Sequence, residues 1–454
     1  MKRRVLSTIT AAALSMTGLH AADSLSEAIS NGKVNGQLRA FYIDRNYDGY
    51  VTLHRSALAA GGWMKYESDD FKGLSAAVGF YTSQNFGIGA DNLPGETYDP
   101  TLTSRDGKGV TYIGEAYLNY KYENTNIKAG RQRLNTPMAG SDDARMLPNL
   151  FEAYLLSNTD LPDTTLVLAH VTKFAQGTFG NTYKGGALAI TSGYTLLSPD
   201  DYQTQIGVDD VTGKFLNTGT YAIGKENDGI TVAAVTYSGI ENMKLQAWNY
   251  YAWDMLNILY LQGDYSWRCL LNEDVKMTAS MQYINEKDVG DSFAGTVDSD
   301  YLGMRLKAAW SMLSGYVAYS TTMSDDKNNP LGSSILTAWG GMPAFTQGMV
   351  TRHQFFAGTD TWKVAGNYKL NDLGINANVT LYYCSFDVGE ANPYNTGESW
   401  TATEAGWDIK YYPAKNLQLR FRANFPRDFY AKHATNVPDN VDWDEYRFIV
   451  NYNF

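Results

Sequence analysis

The chain has 454 residues, a formal net charge of −11 and a pI near 5.0, and it contains 33 Tyr, 18 Phe, 10 Trp and 42 Gly but only two Cys. The acidic balance argues against a nucleic-acid partner, and two cysteines are too few for a disulfide framework. Aromatic residues and glycine favour strands and turns, so the composition predicts a large all-β protein.

The first 21 residues have the pattern of a secretory leader. Lys2, Arg3 and Arg4 precede an apolar stretch that reaches Leu19, and small residues follow it, with cleavage expected after Ala21. This stretch is too short to remain as a membrane-spanning helix. We therefore expect a signal peptide over residues 1–21 and a β-barrel domain over residues 22–454.

Segments of about ten residues that alternate apolar with polar side chains follow one another through the rest of the chain. Successive side chains of a strand point to opposite faces, so each segment has one apolar and one polar face. A length of about 9–11 residues suits a transmembrane strand, and about 18 such strands are predicted. In chain order the segments are Val34–Ile43, Leu58–Glu67, Leu74–Ser83, Gly114–Glu123, Asn126–Gln132, 152–159, Thr164–Phe174, Gly229–Ser238, Met243–Trp253, Asn257–Trp267, Val275–Ile284, Asp300–Trp310, Ser314–Met323, Thr361–Leu370, Gly374–Phe386, Thr403–Tyr412, Leu417–Phe425 and Tyr446–Phe454.

The connections between these segments alternate in length. Short links such as 371–374 and 413–416 fit tight turns, whereas polar stretches such as 85–113, 324–360 and 426–444 are long. Short periplasmic turns on one rim and long extracellular loops on the other are typical of outer-membrane barrels. The pattern predicts a transmembrane antiparallel β-barrel of about 18 strands in the bacterial outer membrane, in contact with its lipid and lipopolysaccharide.

Basic residues occupy the polar face of several segments, as Arg420 and Arg422 do in Leu417–Phe425. Charged side chains need water on their side, so we expect a wet lumen inside and lipid against the apolar face. Lysines and arginines that line a pore favour anions. Alternatively, carboxylates such as Glu115 and Asp408 balance the basic side chains. The residues predicted to line the pore are Arg39, Lys121, Arg305, Lys307, Lys410, Arg420, Arg422 and Arg447.

The stretch from Gly130 to Tyr154 interrupts the alternation with a polar loop that contains Asp142, Asp143 and Arg145. If this loop folds into the barrel, its acids face a basic wall and create a transverse field that selects solutes by charge. Alternatively, it is an extracellular loop held by its own Asp–Arg pairs. We predict the first arrangement, a constriction loop.

The last nine residues, Tyr446–Phe454, form a strand that ends on an aromatic residue. This ending resembles the terminal signal that the barrel-assembly machinery of bacteria reads, so Phe454 is the predicted assembly signal. The last strand must also pair with the first, because an open sheet edge is not tolerated in lipid.

Motifs of catalysis are nearly absent from the sequence. The histidines that follow the expected leader, His54, His170, His353 and His433, are not spaced as metal ligands. No nucleophile elbow or phosphate-binding loop occurs. We expect neither an enzyme nor a cofactor.

The stretch from Gly130 to Phe151 resembles the OprD family of outer-membrane porins. The resemblance implies an 18-stranded porin with an inward constriction loop and a basic ladder for carboxylate-bearing solutes. Ser333–Thr346 is similar to a loop of porins from epsilon-proteobacteria. The residues that carry the resemblance are Gly130, Arg131, Gln132, Pro137, Asp143, Arg145, Leu147, Pro148 and Phe151. Of these, only Asp143 and Arg145 match the family motif near the constriction.

These patterns predict a passive diffusion channel for small hydrophilic solutes and ions that favours anionic or carboxylate-bearing ones. The alternative is a non-conducting barrel that acts through its extracellular loops as a display protein or adhesin. A lesser alternative is a sheath around an electron-transfer partner. The sequence leaves open whether the protein is a monomer or a trimer.

Overall fold

The computed structural model describes residues 22–49, 53–87, 98–104, 107–182, 211–430 and 441–454. The expected leader lies outside these residues. Within them, eighteen long strands form a closed antiparallel barrel, which confirms the predicted fold. The strands are β1 Lys33–Gly49, β2 Leu53–Glu67, β3 Leu74–Asn85, β4 Val110–Tyr122, β5 Thr125–Gln132, β6 Leu150–Asn158, β7 Thr164–Ala175, β8 Ile230–Tyr237, β9 Met243–Ala252, β10 Leu256–Arg268, β11 Lys276–Asp288, β12 Asp298–Trp310, β13 Leu313–Thr322, β14 Asp360–Lys369, β15 Ala377–Val388, β16 Trp400–Ala414, β17 Leu417–Arg427 and β18 Val441–Asn453.

Each strand pairs with the next along the chain, and β18 closes the barrel by pairing with β1 over Gln37↔Asn453 to Gly49↔Val441. Beyond the last register pair, the backbones of Gly36 and Phe454 exchange two hydrogen bonds of 3.0 and 3.1 Å. The sheet therefore has no free edge, which is the condition for a β-structure to sit in lipid.

The two rims of the barrel differ. One carries the start of β1, the end of β18 and the short connections, such as 123–124 and 415–416, and we call it the turn rim. The other, the loop rim, carries the long connections, including 133–149, 176–229 and 323–359.

The remaining elements are short. Helix α1 (Leu25–Ser30) precedes β1, and Thr218–Ile223 forms helix α2. No described helix has the length and apolar character needed to cross a membrane. The other pieces are the hairpin Asn135–Thr136 with Ala139–Gly140, the strand Phe215–Asn217 that pairs with the end of β7, and the 3-10 turns Thr178–Thr182, His353–Phe355 and Leu370–Leu373.

Burial alternates along the strands, as the sequence predicted. On β18, Glu445 and Arg447 are buried inside, whereas Phe448 and Tyr452 are exposed on the outer face. The inside of the barrel is not empty. Inward loops bring side chains such as Trp339 against the inner wall, where they form an apolar core at the loop-rim side.

Candidate functional site

The first inward loop, residues 133–149, leaves β5 and turns into the barrel. Its role as a constriction remains a prediction. A short hairpin pairs Asn135–Thr136 with Ala139–Gly140. The Asn149 side-chain amide donates to the Gly140 carbonyl at 3.1 Å. These bonds let the loop keep its shape away from the wall.

The second inward loop, residues 323–359, is tied to the wall by carboxylates. Glu404 on β16 accepts hydrogen bonds of 2.6–3.1 Å from the backbone N–H groups of residues 349–351. Glu286 on β11 accepts the Leu336 N–H at 2.8 Å. If Glu404 is ionised, its bonds are charge-assisted and about twice as strong as neutral ones. Together with the bond to Glu286 they fix the path of the loop.

The two inward loops cross at a pair of glycines. The Gly140 N–H donates to the Trp339 carbonyl at 3.1 Å, and the Gly341 N–H donates to the Asp142 carboxylate at 3.1 Å. Gly341 has a φ of +96°, and a Cβ atom there would lie 2.1 Å from the Pro137 carbonyl oxygen. Asp142 therefore joins the two loops.

Asp143 is the acidic residue of the first loop that faces the lumen, with a third of its side chain exposed. Arg39 on β1 donates to it at 2.6 Å. Burial by itself would raise the pKa of Asp143, but Arg39, Arg133 and Arg420 together hold the pKa below its usual value. A carboxylate thus stands among three guanidinium groups inside the barrel.

Arg145 points the other way, into the space between the loop and the wall, and is 1% exposed. Its guanidinium lies 3.6 Å from the Glu445 carboxylate and over the Phe179 ring. Its carbonyl accepts a hydrogen bond from Arg39. The structure therefore places Arg145 where it holds the loop to the wall.

All eight predicted basic residues lie on the inner face, but the loops cover three of them. Arg39, Arg422 and Arg447 are 8%, 9% and 1% exposed. We expected these three residues to line an open pore, but in the structure loops cover them. Alternation along a strand could not reveal this, because it does not show which side chains a distant loop will cover. The open members are Lys121 near the turn rim, Arg305, Lys307, Lys410 and Arg420.

Carboxylates on the wall balance some of the open cations, as the alternative interpretation expected. Asp408 accepts two hydrogen bonds from Arg420, at 2.8 and 2.6 Å, and lies 3.8 Å from Lys410. Asp264 lies 3.8 Å from Arg305. The lumen thus contains both partly exposed cations and carboxylates that balance them.

A further basic group was missed in the sequence. Lys65 lies 3.6 Å from Glu115, Lys128 lies over the Tyr117 ring at 4.4 Å, and Arg133 lies 4.0 Å from Glu115. Alternation could have revealed Lys65 and Lys128, since each follows the inward positions of its own strand. Arg133 lies beyond the end of β5, where alternation no longer applies.

Alternation along the sequence places Arg131 and Arg133 on the same side as Ile127 unless a bulge follows Gly130. In the structure Arg131 is paired with Ala116 on β4, on the same outer face as Ile127 and Leu118. Arg131 therefore does not belong to the lumen, although it stands two residues before Arg133.

Among the residues that the structure describes, cations outnumber carboxylates in the part of the lumen around Asp143. Such a surface attracts anions and can hold a carboxylate by paired hydrogen bonds. In the described ranges, no group of three or more His, Cys, Asp or Glu side chains is arranged to hold a metal ion. The cations are Arg39, Lys65, Lys128, Arg133, Lys410 and Arg420, and the carboxylates are Glu67, Glu115, Asp143 and Asp408.

Comparison with known proteins shows which protein family the sequence matches. The family model described as outer membrane porin, OprD family, matches residues 27–454. A comparison with curated proteins finds no match.

Solved structures of Pseudomonas aeruginosa porins share the fold. OpdK, solved with vanillate, has a TM-score of 0.70 at 16% identity, covering 94% of this chain and 99% of its own. OccK9 (OpdG) has a TM-score of 0.72 at 18% identity, with the same coverage of 94% and 99%. OccK2 (OpdF), solved in complex with glucuronate, has a TM-score of 0.70 at 16% identity, covering 94% of this chain and 98% of its own.

Proposed function

Because the chain belongs to the OprD family of outer membrane porins, we propose that it lets small hydrophilic solutes diffuse passively across the outer membrane and favours those that bear a carboxylate. The turn rim then faces the periplasm and the loop rim faces the outside. A solute passes from the loop rim, between the two inward loops and the wall, to the turn rim.

The observation that carries the proposal is the excess of cations around Asp143. Arg420 and Lys410 share one carboxylate, Asp408, and both remain partly exposed to the lumen. An entering carboxylate can therefore replace water on a cation without displacing a buried group. The attraction between its charge and the cations is stronger there than in water, because the surrounding wall lowers the local dielectric constant.

The ligands of the related structures agree with this solute class. OpdK was solved with vanillate and OccK2 with glucuronate, and each of these molecules bears a carboxylate. We extend the class, and not the individual compounds, to this chain, since identities of 16% establish a common fold only.

Single-channel recording under a salt gradient tests the proposal. We expect the refolded protein to conduct and its reversal potential to show anion preference. The double variant Lys410→Gln with Arg420→Gln leaves Asp408 without its cations, so its anion preference should be lost. The matched variant Asp408→Asn removes the opposite charge at the same place and should increase anion preference.

Two outcomes would contradict the proposal. A correctly folded barrel that shows no conductance steps would favour the display protein instead. If the barrel conducts but its ion selectivity is the same in wild type and both variants, the cations around Asp408 do not determine the anion preference. Flux of glucuronate compared with glucose into protein-containing liposomes then measures the carboxylate preference directly.

A further inference from the structure

Three charged side chains lie together on the outer wall of the barrel, and we call them the outer-wall cluster: Arg131, Glu152 and Lys173. The Glu152 carboxylate lies 2.9 Å from the Lys173 ammonium and 3.6 Å from the Arg131 guanidinium. The Arg131 guanidinium carbon also lies over the Phe215 ring, 4.3 Å from its centroid. Two cations share one carboxylate, so the cluster keeps a net positive charge.

The cluster stands at the level of the outer leaflet head groups. The outward residues one step nearer the turn rim are Tyr154 and His170, which face each other across β6 and β7. Tyr251 and Trp253 continue this row of aromatic side chains on β9. Such rows mark the boundary between hydrocarbon and head groups, and charges on the lipid-facing wall are tolerated only near that boundary.

The charge of the cluster is unusual for the outer wall near the loop rim. Elsewhere in the described strands, aspartates such as Asp44, Asp300 and Asp360 occupy this level, hydrogen-bonded to tyrosines. The side chains of Arg131 and Lys173 remain 39% and 43% exposed, so their remaining N–H groups point to the surroundings of the barrel. Guanidinium and ammonium groups at a head-group boundary are complementary to lipid phosphates.

We propose that the outer-wall cluster binds the phosphorylated head group of lipopolysaccharide in the outer leaflet, with Arg131 and Lys173 as the phosphate-binding residues and Glu152 as the residue that orients both. The phosphate accepts hydrogen bonds from both cations, and Phe215 keeps the guanidinium plane in place. This inference rests on the membrane position of the barrel and not on the proposed solute preference.

Titration of the folded full-length protein with lipid A carrying two phosphates, followed by native mass spectrometry, tests the proposal. Arg131→Gln with Lys173→Gln should weaken binding at least about tenfold, because charge-assisted bonds are lost from both cations. Glu152→Gln should strengthen binding severalfold, because it raises the net charge of the cluster. Lys287→Gln serves as the matched control, since Lys287 is an exposed cation of the outer wall that pairs with Asp298 elsewhere.

Equal binding of lipid A by wild type and the double variant would overturn the proposal. Should the double variant fail to fold, Glu152→Gln decides alone, and unchanged affinity in that variant overturns the proposal. Lipid A without phosphates should bind weakly to every variant, and strong binding of it by wild type would contradict a phosphate site. Binding of inorganic phosphate without binding of lipid A would overturn the assignment to lipid.

Discussion

The Asp143 side chain both holds the first inward loop to the wall and presents a charge to the lumen. It accepts hydrogen bonds from buried Arg39, which holds the first inward loop against β1, and it remains a third exposed to the lumen. Its lowered pKa means that the ionised form is the one stabilised by folding. That contribution is present above the pKa of the unfolded chain and is lost only as the pH falls through the lower folded value.

Asp143→Asn should shift the reversal potential in the direction of greater anion preference, because a negative charge is removed from the lumen. It should also lower the free energy of unfolding by about 1–3 kcal/mol, because Arg39 loses a charged partner. Salt-gradient recording and denaturant unfolding measure the two effects. Asp274→Asn, on an exposed turn of the turn rim, is the control and should change neither. An unchanged selectivity in Asp143→Asn would remove this carboxylate from the permeation path.

His353 is a second residue whose surroundings determine its behaviour. It is 1% exposed in the second inward loop, stacks on Phe356 at 4.7 Å between ring centroids and bonds the Phe429 carbonyl at 2.9 Å. Burial lowers its pKa to about 4. The neutral ring is therefore required for the loop to stay packed.

In the unfolded loop, His353 takes up a proton near pH 6.5, and this protonation favours the unfolded form. The contribution of neutral His353 to the stability of the loop should therefore be fully present above that pH and fall by about 3 kcal/mol as the pH drops to about 4. Protease sensitivity of the second inward loop across this range measures the effect. His353→Gln cannot take up a proton and should show a flat profile, whereas His54→Gln should behave as wild type. A flat wild-type profile would contradict the expectation.

At the scale of elements, the two inward loops meet inside the barrel. Each is tied to a different part of the wall, the first through Arg39 and the second through Glu286 and Glu404. Their backbones then approach at Gly140 and Gly341, closer than any side chain would allow. We therefore expect the width of the path to depend on contact between loops that are about 200 residues apart in the chain.

Gly341→Ala should separate the loops and increase single-channel conductance. The new Cβ atom meets the Pro137 carbonyl, and a left-handed backbone costs a non-glycine residue about 1–3 kcal/mol. The strands are not involved, so the barrel should still fold. Gly366→Ala is the control, because its Cβ atom would meet open space. Equal conductance in all three proteins would show that the crossing does not limit the path.

At the scale of the whole molecule, closure of the sheet determines stability in the membrane. The pairing of β1 with β18 joins the two ends of the chain and leaves the Phe454 side chain 47% exposed on the outer face, next to Tyr452. The ring contributes little packing inside the barrel. Its expected role in recognition by the assembly machinery remains a prediction.

Phe454→Ala separates recognition from stability. The backbone pair with Gly36 is kept, so we expect the refolded variant to lose only about 0.5–1.5 kcal/mol, the contribution of an aromatic pair. In cells, the amount of folded protein in the outer membrane should fall much more. Phe448→Ala removes an equally exposed aromatic residue from the same face and should assemble normally. Equal assembly of both variants would refute a terminal signal.

Local alternation predicted the strands well. Each of the eighteen predicted segments overlaps one strand, and residues such as Arg420 and Tyr452 lie on the expected faces. Alternation also placed Arg422 and Arg447 inside but could not show that loops cover them. The partners of those residues come from distant parts of the chain, which a strand pattern does not encode.

The sequence by itself determined the closed barrel and the sorting of short turns and long loops, because these follow from side-chain period and local turn chemistry. Only the tertiary structure decided that Asp142 joins the two loops, that Arg145 is buried beside Glu445, and that Arg131 faces outward. The physical reason is that an ion pair inside the barrel depends on the distance between two side chains in space. The loops that bring such side chains together have no repeating side-chain pattern from which their path could be predicted.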